Sequence, residues 1–114
     1  MASNIKKNWE PGVVDLPSTS KPTLIVQIHG GQSVMIKNIG TAGSYIELLP
    51  SVRWPAGQGL RLFAKETANF SLPKEFGEDN IIEIWGLPQT AGDDVNFAKI
   101  IDKYPEIKTS ESLG

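Results

Sequence analysis

Regular alternation of apolar and polar positions begins at Thr23 and organises most of the chain. From Thr23 to His29, Leu24, Val26 and Ile28 fall on one face and Thr23, Gln27 and His29 on the other, with Ile25 out of phase. Period two bounded by turn residues is the pattern of a half-buried strand. Gly30-Gly31 follows, a pair suited to the positive φ angles of a two-residue hairpin turn. The run Ser33 to Ile39 then places Val34 and Ile36 inward and Lys37 outward, and Gly40 to Gly43 makes a second turn. Ser44 to Leu49 sets Tyr45, Glu47 and Leu49 against Ile46 and Leu48 until Pro50 stops it. Past the Pro- and Gly-rich stretch Trp54 to Gly59, alternation resumes with Leu60, Leu62 and Ala64 on one side. Phe70 and Leu72 mark a short strand closed by Pro73, and Asn80 to Trp85 opposes Ile82 and Ile84 to Ile81, Glu83 and Trp85. Turn signals recur about every eight to twelve residues, which predicts an all-β fold. The expected architecture is an antiparallel β-sandwich, jelly-roll-like or immunoglobulin-like, over residues 23–104.

Both ends depart from this pattern. Residues 1–22 contain Pro11, Pro17 and Pro22 with Ser18-Thr19-Ser20. Proline fixes φ and lacks an amide donor, so the segment resists helix and central strand alike. It reads as an extended N-terminal arm whose Trp9, Val13, Val14 and Leu16 dock on a surface, its own or a neighbour's. At the other end Phe97, Ile100, Ile101 and Tyr104 sit at i, i+3, i+4 and i+7, one helical stripe. Asp93 or Asp94 suits its start and Pro105 forbids continuation. A strand through Val95 and Phe97 is the alternative, so the C-terminal element is a short helix or a strand. Residues 105–114 read as a polar tail.

Composition narrows the partners. The 114 residues suit one domain. Eleven Lys and Arg against 13 Asp and Glu leave a net charge of −2, and the densest basic feature is Lys6-Lys7. A nucleic-acid binder usually carries a basic balance or run, so DNA and RNA are not expected partners. The absence of cysteine removes disulfide and thiolate chemistry. Apolar runs such as Leu24-Ile25-Val26 fall far short of the roughly 20 residues of a membrane span, and no membrane partner is expected. No apolar stretch follows Lys6-Lys7, which predicts a protein kept in the cytosol or built there into something larger.

Candidate chemistry is sparse. His29 is the single histidine and reads as a polar strand-end residue, since catalysis needs an orienting partner and a nucleophile. Glu75, Glu78 and Asp79, and Asp93 and Asp94, lack the ordering of a calcium loop. Gly57-Gln58-Gly59 lacks the lysine and helix start of a phosphate loop. No enzyme activity, metal or cofactor is expected. Trp85 lies on a predicted strand and reads as packing between sheets. Trp9 and Trp54 lie in Pro-bounded irregular segments, where aromatics act as recognition anchors because they bury much area at low entropy cost. They suit a neighbouring subunit or a stacked sugar; the plainer alternative folds their loops over the open end of the sandwich.

One resemblance adds to this. Ser33 to Gly40 ends in Asn38-Ile39-Gly40; then come Ser44-Tyr45-Ile46-Glu47, Pro55-Ala56-Gly57 leading into Leu60-Arg61-Leu62, Phe70-Ser71-Leu72 and the run Ile81 to Trp85. This order resembles small β-sandwich modules of tailed-bacteriophage structural proteins and covers about half the chain. The resemblance implies a virion structural protein, a capsid decoration or head accessory piece assembled in the host cytoplasm. It would bind coat or other virion proteins through arms and loops, with a homo-oligomer as a further expectation. A carbohydrate-binding or other ligand-binding sandwich module is the alternative.

Overall fold

The computed structural model describes residues 6–77 and 79–103, with side-chain surroundings for 9–77 and 79–100. Glu78, Tyr104, the tail 105–114 and the side chains of Lys6, Lys7 and Ile101 lie outside that description. The described chain is all-β apart from one short 3-10 turn. Its strands are β1 (Lys6–Leu16), β2 (Thr23–His29), β3 (Gln32–Asn38), β4 (Tyr45–Leu49), β5 (Leu60–Phe63), β6 (Thr67–Leu72), β7 (Ile81–Pro88) and β8 (Asp93–Lys103). They form two four-stranded sheets in the orders β1-β8-β3-β6 and β2-β7-β4-β5, with every pairing antiparallel. Successive strands pass from one sheet to the other except between β4 and β5, which is the jelly-roll order.

The expected sandwich is therefore present, and of the two forms considered it is the jelly roll. Two ends of the chain read differently in three dimensions. The segment expected as an arm is extended, and its residues 6–16 form β1, paired with β8 from Lys6↔Lys103 to Leu16↔Asp93. The C-terminal segment is a strand: β8 lies between β1 and β3, and the helical spacing of Phe97, Ile100 and Ile101 is overridden by two ladders of backbone bonds. Phe97 faces the core while Ala98 and Asn96 face out, so the apolar run reflects both faces of an interior strand.

The core lies between the sheets. Leu16, Val34, Ile36, Val95, Ile28 and Ile46 are almost wholly buried, with Val26, Ile84, Leu48 and Leu62 around them. Ile25, out of phase in the sequence, marks a β-bulge where the pairing of β2 with β7 slips between Leu24 and Val26. Both Ile25 and Val26 turn inward there, and Leu24, expected inside, pairs with Trp85 on the outer face. Gly86 makes room for this, because a Cβ on it would lie 2.7 Å from Ile25 Cδ1.

A polar clip joins the sheets at one end. Asn38, fully buried at the end of β3, donates from Nδ2 to the carbonyls of Leu62 at 2.8 Å and Ser44 at 3.3 Å, and its Oδ1 accepts from Gly40 N at 2.7 Å. The Asn-x-Gly spacing is thus a side-chain turn that also reaches the opposite sheet. Nearby, Thr41 Oγ1 donates to Asp93 Oδ1 at 2.8 Å, and the hydroxyls of Ser44 and Thr90 share a 2.8 Å bond.

Candidate interaction surfaces

Strand parity sorts the residues expected to meet a partner. On β1, Trp9, Pro11, Val13 and Asp15 point away from the core, whereas Gly12, Val14 and Leu16 point into it. Leu16 is fully buried and Val14 packs against the core cluster, so both contribute to the sandwich interior. Trp9 and Val13 remain 59% and 64% exposed, far more than apolar side chains on a paired strand need be. Trp54 is 45% exposed on a separate surface.

The outer face of the first sheet can be read row by row from its register. Trp9 aligns with Ile100, Ser33 and Ser71; Pro11 with Ala98, Met35 and Asn69; Val13 with Asn96, Lys37 and Thr67. Asp15 then aligns with Asp94. The β1 side of this face is apolar and tall, and the β6 side polar and short. A groove of about 650 Å³ runs across it between Trp9, Val13, Met35 and Thr67. At one end two carboxylates stand directly opposite, an unfavourable cross-strand pair. Desolvation, the hydrogen bond with Asp15 and the negative charges of Asp15 and Asp93 push the Asp94 carboxyl above the usual carboxylate range.

On three of the four sheet edges one outward N–H is missing or already taken. Ile39 N donates to Asp94 O, so odd-numbered residues of β3 bond to β8 and odd-numbered residues of β1 turn their backbone outward. Pro11 occupies the middle of that free edge, where its missing N–H leaves a gap. On β5 the Phe63 N–H is taken by Glu66 Oε1 at 2.8 Å, and on β2 the His29 N–H by Gln32 Oε1 at 2.8 Å. The fourth edge, β6, turns outward Thr67, Asn69 and Ser71.

The second sheet has its outer face covered by the β4–β5 loop, residues 50–59. Glu47 points outward from β4 yet is only 4% exposed, because its Oε1 accepts from Gly57 N at 2.9 Å and its Oε2 from Gly59 N at 2.6 Å. Gly59 must lack a side chain, since a Cβ would sit 2.5 Å from both Leu48 O and Leu49 Cδ2. Leu49 is buried under this loop. Trp54 is tied to its own loop by a 3.0 Å bond from its Nε1 to Gln58 O, and the loop is held to the outer sheet face through Gly57 and Gly59. Beside it Arg61 rests over the Tyr45 ring, 4.4 Å from its centre, and Phe63 meets Tyr45 edge-on at 5.6 Å. A groove of about 390 Å³ opens between Thr19, Glu47, Arg61 and Gln89. Trp85, expected between the sheets, is on this outer face and donates to Glu83 Oε1 at 3.0 Å.

Of the residues expected to meet a partner, Trp9, Val13 and Trp54 are exposed, and Met35, Glu47 and Arg61 were not among those expected. Met35 was visible as an apolar residue on the solvent phase of β3. For Glu47 the signal was its position opposite Ile46 and Leu48, followed by a glycine-rich loop. Nothing local marked Arg61.

No protein family matches the chain, and no curated protein matches it. Similar solved structures include two of unrelated origin. A chain of the Bacillus endospore appendages, which form disulfide-linked pili, aligns over 93% of this chain and 96% of its own with a TM-score of 0.50 and 13% identity. A de novo designed double-stranded β-helix aligns over 84% of this chain and 99% of its own with a TM-score of 0.48 and 16% identity. At such identity the pilus chain speaks to the fold alone.

Proposed function

We propose that this jelly roll is a structural subunit that works by assembly, a capsid decoration or head accessory protein of a virion. The observation that carries the assembly reading is the strip of Trp9, Pro11, Val13 and Met35, with Trp9 and Val13 more than half exposed on a sheet face. Exposed apolar residues gathered on one face mark interaction surfaces. The virion setting rests on the resemblance of the strand and turn order to phage modules, and neither similar structure is a phage protein. The Trp54 loop, held rigid by Glu47, is the surface assigned to the coat lattice.

Removing the N-terminal segment does not test this cleanly, because Leu16 belongs to the core. Point changes do. Coat particles of the same source are mixed with the protein and sedimented, comparing wild type with Trp54→Ala. Co-sedimentation that falls at least tenfold in the variant supports the reading, and absence of wild-type protein from the particle fraction overturns it.

A second reading is favoured by one observation. Arg61 sits on Tyr45 and lines a groove together with Thr19 and Gln89, with exposed Trp54 on the adjoining loop. That arrangement suits a small polar ligand such as a sugar. Titration of Trp fluorescence with a glycan panel tests it, and an unchanged emission across the panel removes it.

A further inference from the structure

We infer that the outer face of the β1-β8-β3-β6 sheet is a self-complementary dimer face, on which a second copy of this chain packs about a two-fold axis parallel to the strands. The inference rests on the assembly reading above and names the partner of its main surface. Three of the four edges carry an obstacle to strand addition, while β6 stays unblocked: Pro11 interrupts β1, and the outward N–H groups of Phe63 and His29 are held by side chains. The face, by contrast, is open.

The register gives the match. An axis running between β8 and β3 keeps each row facing its own counterpart, with β8 over the partner's β3 and β1 over its β6. Ala98 then meets Met35, and the tall Trp9 meets the short Ser71, each pair twice. Asp94 lies one row, about 7 Å, along the strand from the facing Lys37. With sheets about 10 Å apart, a lysine stem spans that offset. Within one chain Lys37 has no ion-pair partner among the described residues, and Asp94 faces the like charge of Asp15. The second copy supplies the missing opposite charges on both sides. Three rows on four strands and a fourth on two cover on the order of 450 Å² in plan, below the roughly 800 Å² per partner of a stable interface. A reversible dimer with a micromolar dissociation constant is the expected consequence.

The test is sedimentation equilibrium of the whole chain from about 1 to 500 μM, with circular dichroism to confirm folding. Wild type should pass from 12.4 kDa to twice that mass. Val13→Glu, on an exposed position, should stay monomeric. Lys37→Glu and Asp94→Lys should each raise the dissociation constant at least tenfold, and the double variant should return to within about threefold of wild type. A wild-type monomer at every concentration, a dimer indifferent to Val13→Glu, or a double variant weaker than both singles overturns the inference. Particle co-sedimentation by a strictly monomeric wild type would overturn the dimer and leave the coat-binding proposal standing.

Discussion

Replacing Asn38 by alanine tests how the two sheets are joined. The change removes the donor from the carbonyls of Leu62 and Ser44 and the acceptor from Gly40 N, in a place with no solvent exposure. A buried polar group left unpaired costs about 1–3 kcal/mol. The 2.8 Å bond to Leu62 and the 2.7 Å bond from Gly40 count in full, and the 3.3 Å bond to Ser44 much less. Two full losses give about 2–6 kcal/mol, reduced if water enters the space left behind. The expected loss is about 3 kcal/mol, a large part of the stability of a domain this size. Urea unfolding followed by Trp fluorescence should show the midpoint falling by about 2 M at an unchanged slope, for a slope near 1.5 kcal/mol/M. Asn38→Asp sharpens the test. Its carboxylate keeps the acceptor for Gly40 but turns an oxygen toward two carbonyls, so it should be worse than alanine at neutral pH and recover on acidification. A loss below 1 kcal/mol for Asn38→Ala would refute the clip, and an exposed control such as Thr67→Ala should change little.

Two further outcomes concern Glu47 and Asp94. Glu47→Gln keeps one acceptor and turns an amide N–H toward a glycine N–H, so the loop over β4 should loosen at a cost of about 1–2 kcal/mol. Acrylamide quenching of Trp54 in a background with the other tryptophans replaced by phenylalanine should rise, and unchanged quenching and stability would remove Glu47 as the fastener. The Asp94 carboxyl is raised in the folded chain, which means the folded state binds that proton more readily than the unfolded one. Its contribution therefore favours folding below that value and is lost as pH rises through it. At dilute protein, Asp94→Asn should melt higher than wild type at neutral pH, and the difference should shrink toward the carboxylate range; a difference constant with pH would refute the repulsion.

Much of the fold was legible because one periodicity dominates it. Val34, Ile36 and Lys37 stand where alternation puts them, and the Gly-Gly and Pro punctuation falls between strands. The bulge was legible too, as the phase error at Ile25. What failed was the reading of single residues whose face depends on a distant partner. Leu24 turns outward because of that bulge, which shifts parity only once β2 has paired with β7, whereas Trp85 stands on the outward phase that alternation with Ile82 and Ile84 already gave it. Glu47 looked solvated because its strand phase is outward, and only the return of residues 57–59 buries it. The C-terminal strand was ambiguous for a general reason. A strand bonded on both sides and partly apolar on both faces loses its alternation, and its apolar positions can then mimic a helical stripe.

Pro11 shows how one residue supports both the error and the correction. A proline-rich stretch read alone suggests a free arm, since proline cannot serve a central ladder. In a jelly roll the first strand is at an edge, and only alternate residues need donors on the paired side. Pro11 falls on the unpaired phase, so β1 keeps its ladder to β8 while its outer edge loses a donor at mid-length. The same parity sends the side chains of Trp9 and Val13 to the outer face, next to an edge that cannot easily recruit another strand. Apolar exposure beside a blocked edge suits a face-packing subunit: it can associate through side chains while β1 resists the open-ended strand addition that leads to aggregates. Pro11→Val removes that safeguard and restores an outward N–H without touching the core. If the reasoning holds, the variant folds with wild-type stability to within about 1 kcal/mol yet forms higher-order species at concentrations where wild type stops at a closed mass.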